Sequence, residues 1–174
     1  MAAEPPKSNE SWPGDFLLHP VCLAAIVVLV VNDWAIKARW PGAVAGKLSD
    51  VAGMVFFPLL LVALAELALL MIGRKRMASP TWFVISAAAV GAVFAATKTI
   101  EPVRTADEWI LGQLRWLPLA AIRAAQQQPI GDPTYPDVVP DATDVLCVPF
   151  VLVAIWIGNQ YRRPPRAHSA TASE

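Results

Sequence analysis

Residues Val51–Ile72 read VAGMVFFPLLLVALAELALLMI, an apolar run whose single charge is Glu66. A membrane helix needs about 20 mostly apolar residues to cross a hydrocarbon core of about 30 Å, and this stretch meets that length. The whole chain has the matching composition: 174 residues, 56% hydrophobic and only 16% charged, with a mean hydropathy of +0.48. Soluble domains keep roughly a quarter of their residues charged. The sequence is therefore read as an all-α, polytopic membrane protein.

Outward from Val51–Ile72, three further stretches reach spanning length, at 16–36, 81–100 and 144–161. His19-Pro20 interrupts the first near one end and Pro149 the last. The expected organisation is a polar N-terminal segment over 1–15, a four-helix transmembrane domain over 16–161 and a polar tail over 162–174. Only Lys7 precedes the first apolar run, and no small-residue cleavage pattern follows it, so that span is not read as a cleaved signal.

Lys and Arg divide equally between the two sides of a four-span topology, so number alone does not orient it. Density does: Arg74-Lys75-Arg76 and Arg162-Arg163 abut span ends, whereas the cations opposite are interspersed with Asp and Glu. Both termini are thereby assigned to the cytoplasm, and the compact polytopic chain to a plasma membrane, the bacterial inner membrane. Tryptophan favours headgroup belts; Trp34, Trp40, Trp109 and Trp116 mark the outer one, Trp12, Trp82 and Tyr161 the inner one. Cys22 and Cys147 then lie at different depths, too far apart for a disulfide.

The two halves resemble one another. His19-Pro20 opens the first span and Ser79-Pro80 the third; Lys37-Ala-Arg-Trp-Pro41 follows the first and Lys98-Thr-Ile-Glu-Pro102 the third; Ser49-Asp50 and Thr143-Asp144 open the second and fourth. This order suggests two tandem related hairpins. Within the third span, Ala87, Gly91 and Ala95 recur every four residues, as do Ala88, Ala92 and Ala96, spacing that lets helices approach closely in lipid. That span is expected to be the most buried.

Polar chemistry collects on the outer side, at Asp33, Lys37, Lys47, Asp50, Lys98, Glu101 and Asp144. Asp33 and Lys37, and Lys98 and Glu101, have the spacing to share a helix face; Asp50 and Asp144 are expected at helix N-termini, where the macrodipole favours a carboxylate. Caps and interface anchors account for these positions structurally. Functionally they form a candidate binding face, because ammonium groups suit phosphate or carboxylate and ionisable groups at span ends mark sites. Glu66 is the one charge deep inside a span. Between the third and fourth spans, Thr105-Ala-Asp-Glu108 fits a capping box and opens an amphipathic helix over 105–127 that lies in the interface. A Pro- and Asp-rich strap follows it.

Fourteen basic and fourteen acidic residues leave no net field, which argues against nucleic acid as a partner. Two Cys and two His are too few for a Cys/His metal site, Asp137, Asp141 and Asp144 could offer oxygens to calcium but lack EF-hand spacing, and no phosphate-binding glycine loop, nucleophile elbow or HExxH motif is present. No cofactor and no metal are expected. The sequence points first to a non-enzymatic membrane protein that binds a partner protein or a polar or anionic ligand at its outer face, among membrane lipids and alongside a partner membrane protein or a second copy. A small transporter or channel component working between the hairpins is the alternative. A membrane enzyme acting on a lipid headgroup or polyprenyl phosphate is a third reading.

Overall fold

The computed structural model describes residues 12–36, 39, 42–74 and 79–161, and all the regular structure among them is helical. A 3-10 turn, Asp15–Leu18, precedes α1 (Pro20–Val31), which runs on into a π-helical turn, Asn32–Ile36. Then come α2 (Ala43–Met71), α3 (Pro80–Thr99) and α4 (Glu101–Ala125). A 3-10 segment, Ala142–Phe150, continues directly into α5 (Val151–Tyr161). Three helical stretches, Val44–Met71, Pro80–Thr99 and Ala142–Tyr161, are long and apolar enough to cross a membrane; Pro20–Ile36 is apolar but shorter.

α2 and α3 are the centre of the bundle. α1 packs on α2, α3 packs on α2 and α5, and the 3-10 segment lies against both α2 and α3. One core cluster joins Phe16, Cys22, Leu59, Val62, Phe83, Ala154 and Ile157. A second, around Met54, Ala87, Cys147 and Val151, lies towards the opposite end of α2. The Phe16 and Phe83 rings meet edge to face, with centroids 4.9 Å apart. Gly158 makes room for them, since a Cβ there would stand 2.3 Å from the Phe83 Cγ. Outside these clusters Val27, Leu61, Leu64, Ile85, Leu152 and Trp156 are exposed. An outward-facing apolar surface of this kind suits lipid and would be unfavourable in water.

Several boundaries differ from the sequence reading, each for a physical reason. α2 begins at Ala43, ahead of the expected Val51, because Lys47 and Asp50 sit inside the helix with their charges paired. Asp50 is therefore not a helix cap. α4 begins at Glu101 with Pro102 in its first turn. Thr105 donates to the Glu101 carbonyl at 3.2 Å within that helix, so it caps nothing. α3 is not the most buried span; a smaller share of it is buried than of either other long helix. Its Ala87–Gly91 stripe packs inward, where a Cβ on Gly91 would touch Val148, while Ala88 and Ala92 face outward.

Two polar groups in the bundle have local roles. Pro58, inside α2, has no N–H to donate to the preceding turn; Ser86 on α3 donates to the Pro58 carbonyl at 2.7 Å and ties the two helices there. Glu66 is 2% exposed, and its Oε2 accepts the Gly14 N–H at 2.8 Å. The deep carboxylate thus satisfies a backbone donor at the start of the first 3-10 turn, one of the amides that such a turn leaves without an internal partner.

Candidate functional site

The charged residues converge where the start of α2, the end of α3 and the start of the 3-10 segment meet. Asp144 is the hub. Its Oδ1 accepts from Lys47 Nζ at 2.6 Å and its Oδ2 from Lys98 Nζ at 2.7 Å. Its side chain is 9% exposed and that of Lys98 13%. Asp50 Oδ2 lies 3.8 Å from Lys98 Nζ on the other side.

Lys47 is the more exposed lysine and reaches three acceptors: Asp144, Thr143 Oγ1 at 2.7 Å and Asp141 Oδ2 at 3.3 Å. An ammonium has three donors, so its capacity is filled. Asp141 in turn caps the 3-10 segment, accepting the Thr143 N–H at 2.8 Å and the Thr143 hydroxyl at 2.7 Å. These two bonds from Thr143, and then the nearby Lys47, outweigh desolvation and lower the Asp141 carboxyl from 3.8 to about 2.

The strap delivers Asp141 to this place by running back along α4. Trp116 Nε1 donates to the Gly131 carbonyl at 2.6 Å, the Tyr135 ring covers Gly112, and Glu108 accepts the Val138 N–H at 2.9 Å. A Cβ on Gly112 would lie 2.4 Å from Tyr135 Cδ1, so this contact needs a glycine. The side of α4 that carries Glu108 and Gly112 therefore holds the strap. Ile110, Leu114 and Leu117, spaced to share the other side, are exposed.

Of the residues singled out in the sequence, Lys47, Asp50, Lys98 and Asp144 come together. Glu101 does not join them. Ile100 is extended between α3 and α4, so Lys98 and Glu101 lie on different helices and cannot pair along one face; Glu101 is exposed in the first turn of α4. Asp33 lies in the π-helical turn, and Lys37 falls outside the described residues, as does Trp40. Asp141 and Thr143 are additions. The Pro/Asp composition marked the strap, but no local spacing signals its return along α4.

Beside the ion-pair cluster is a cleft of about 520 Å³ between α2 and α3. Its long walls are apolar, with Met54, Phe57 and Leu61 on one helix and Val90, Val93 and Phe94 on the other. One end is polar, with Ser49, Asp50, Thr97 and Lys98; Asp107 and Leu111 of α4 and Val138 of the strap complete that end. From Ser49 to Leu61 the cleft follows roughly 18 Å of helix at 1.5 Å per residue. Asp107 has no cationic partner among the described residues. Burial, then the neighbouring Glu108 charge, push its carboxyl above the usual value.

No group of His, Cys, Asp and Glu among the described residues has the arrangement of a metal site. No known protein family, characterised protein or solved structure matches the chain.

Proposed function

We propose that the protein is a non-enzymatic integral membrane protein that holds an amphipathic ligand in the cleft between α2 and α3, with the ligand's polar end at the charged corner on the outer face. The observation that carries this reading is the cleft's polarity: apolar walls along its length and Asp50, Lys98 and Asp107 at one end. Its volume of about 520 Å³ falls within the range of about 300–1,000 Å³ typical of small-molecule sites. A simple anion is a poorer fit, because both lysines are already neutralised by Asp50, Asp141 and Asp144. Catalysis is also a poorer fit, because Asp144 is held by two ammonium groups and has no lone role as a base.

In this proposal the short apolar helix Pro20–Ile36 crosses the membrane with the three longer ones, giving four spans in two tandem hairpins. The positions of Asp50 and Asp144 support the duplication: they are equivalent in the two halves, and both flank Lys98. The basic runs at Arg74-Lys75-Arg76 and Arg162-Arg163 favour cytoplasmic termini in a plasma membrane of the bacterial inner type.

The test is native mass spectrometry of protein gently extracted from its own membranes, beside an Ala89→Phe variant. Ala89 lines the cleft and is exposed, so the phenyl group enters the cleft without disturbing the core. A bound mass present in the wild type and absent from the variant is the expected result. A bare wild-type protein, or a ligand retained equally by both, overturns the proposal.

A further inference from the structure

We infer that the cavity between the second half of α4 and the strap binds a phosphate group, held by the guanidinium groups of Arg115 and Arg123. This site is separate from the cleft between α2 and α3 and does not depend on the ligand proposed there. The first argument is charge. From Trp109 to Gln126 the chain has Arg115 and Arg123 and no carboxylate. Both arginines line a cavity of about 170 Å³, in which Asp132 of the strap is the one carboxylate. Neither guanidinium has a hydrogen-bond or ion-pair partner among the described residues, and nor has the Asp132 carboxylate. Two guanidinium groups beside one carboxylate leave a single positive charge at the cavity, and a phosphodiester carries the single negative charge that balances it.

The second argument is geometry. Arg115, Leu119 and Arg123 recur at four-residue spacing and share one face of α4, with the two arginines roughly 12 Å apart along the axis at 1.5 Å per residue. The strap supplies the opposite wall. Trp116 Nε1 donates to the Gly131 carbonyl at 2.6 Å, and a Cβ on Gly131 would stand 3.2 Å from Arg123 Nη1, so Arg123 lies close over bare backbone. The cavity is smaller than the about 300–1,000 Å³ of sites that enclose whole small molecules and takes a single group. A carboxylate offers two oxygens on one edge and suits one guanidinium fork; a tetrahedral phosphate directs oxygens to several sides and can meet two. The third argument is place. α4 leaves Ile110, Leu114 and Leu117 exposed on the side away from the strap. An amphipathic helix settles with its apolar side at the boundary of headgroups and acyl chains, which brings the strap side of α4 to the level of the lipid phosphates. A lipid headgroup is then the nearest source of the group, and inorganic phosphate shares its chemistry.

The experiment has two arms. The full chain is reconstituted into nanodiscs of equal parts phosphatidylglycerol and phosphatidylcholine, with the retained lipids counted by native mass spectrometry, and the detergent-solubilised chain is titrated with inorganic phosphate by calorimetry. Wild type is expected to retain the glycerol lipid about tenfold over the choline lipid, the discrimination of one charge-assisted hydrogen bond. The double variant Arg115→Gln/Arg123→Gln is expected to abolish that preference while unfolding as wild type does, since both side chains are exposed and without partners among the described residues. Arg104→Gln, on the same helix but outside the cavity, should leave the preference unchanged, and Asp132→Asn should strengthen it. A binding heat for inorganic phosphate that disappears in the double variant, without a lipid preference, supports the phosphate site and makes the free ion its ligand. Neither preference nor heat, either one surviving the double variant, or a preference lost equally in Arg104→Gln and so set by overall charge, overturns the inference.

Discussion

Replacing Asp144 with Asn tests the ion-pair hub directly. The amide preserves shape but removes the charge, and it points an NH₂ donor at one of two ammonium groups that now sit 2.6 and 2.7 Å from the carboxylate oxygens. The two limbs are unequal. Lys47, 39% exposed, keeps Asp141 and Thr143, and pairs that face solvent contribute only about 0–1 kcal/mol. Lys98, 13% exposed, keeps among the described residues only the Asp50 carboxylate at 3.8 Å. Stranding a buried partner costs about 3–5 kcal/mol; with part of the cluster intact, the lower end, about 3 kcal/mol, is expected. That is on the order of a hundredfold in the ratio of folded to unfolded protein. Equilibrium unfolding in mixed detergent micelles measures it. The double variant Asp144→Leu/Lys98→Met removes both charges, and replacing a buried pair with packed apolar groups is often neutral. It should recover most of the loss. A single-variant cost below about 1 kcal/mol, or a double variant whose cost is the sum of the two single ones, would refute the view that these residues form one coupled buried unit.

Four other outcomes follow from particular contacts. Gly158→Ala places a Cβ 2.3–2.6 Å from three atoms of the Phe83 ring; it should cost about 1–3 kcal/mol, largely restored by Phe83→Leu in the same unfolding assay. Glu66→Leu leaves the Gly14 N–H without its acceptor, with an expected loss of about 1–3 kcal/mol and faster proteolysis near Trp12–Leu18, whereas Glu66→Gln should retain most of the stability. The lowered Asp141 carboxyl contributes stability that is complete above its ordinary 3.8 and lost as pH falls through about 2; Asp141→Asn should flatten an acid-unfolding curve in that window. Asp107 has the opposite sign. Because its folded value is raised, the empty protein loses stability as pH rises through the usual carboxylate range, and Asp107→Asn should make ligand-free protein at neutral pH at least as stable as wild type.

The parts of the architecture legible in the sequence are those written in local pattern. The run at Val51–Ile72 could hardly be anything but a long apolar helix, and the Ser79-Pro80 start of α3 is a Pro in the first turn, where a missing N–H costs nothing. Lys98, Asp50 and Asp144 could be picked out because they sit at span ends beside turn residues. The start of α2 could not be, since a hydropathy window discounts Lys47 and Asp50 for charges that only the folded bundle pairs. The reach of Asp141 to Lys47 and the place of Asp107 in the cleft escaped for a related reason. Asp141 reaches Lys47 only after the strap doubles back on α4, and Asp107 enters the cleft only because α4 begins at Glu101. Both depend on contacts between residues far apart in sequence.

The tight winding of Ala142–Phe150 affects how far the last span reaches. Nine residues at about 2.0 Å rise cover roughly 18 Å, against about 13.5 Å in α geometry. With α5 added, the stretch extends about 34 Å, where the same residues wound wholly as an α-helix would extend about 30 Å. A thinner bilayer would leave this span too long, and hydrophobic mismatch of that kind is relieved by tilting or by changing the helix. Pro149 within the segment has no N–H for an α-helical bond and would crowd the carbonyl four residues back, so rewinding is disfavoured and tilting is the adjustment left. The extra length thus stays at the end where Asp144 meets Lys98.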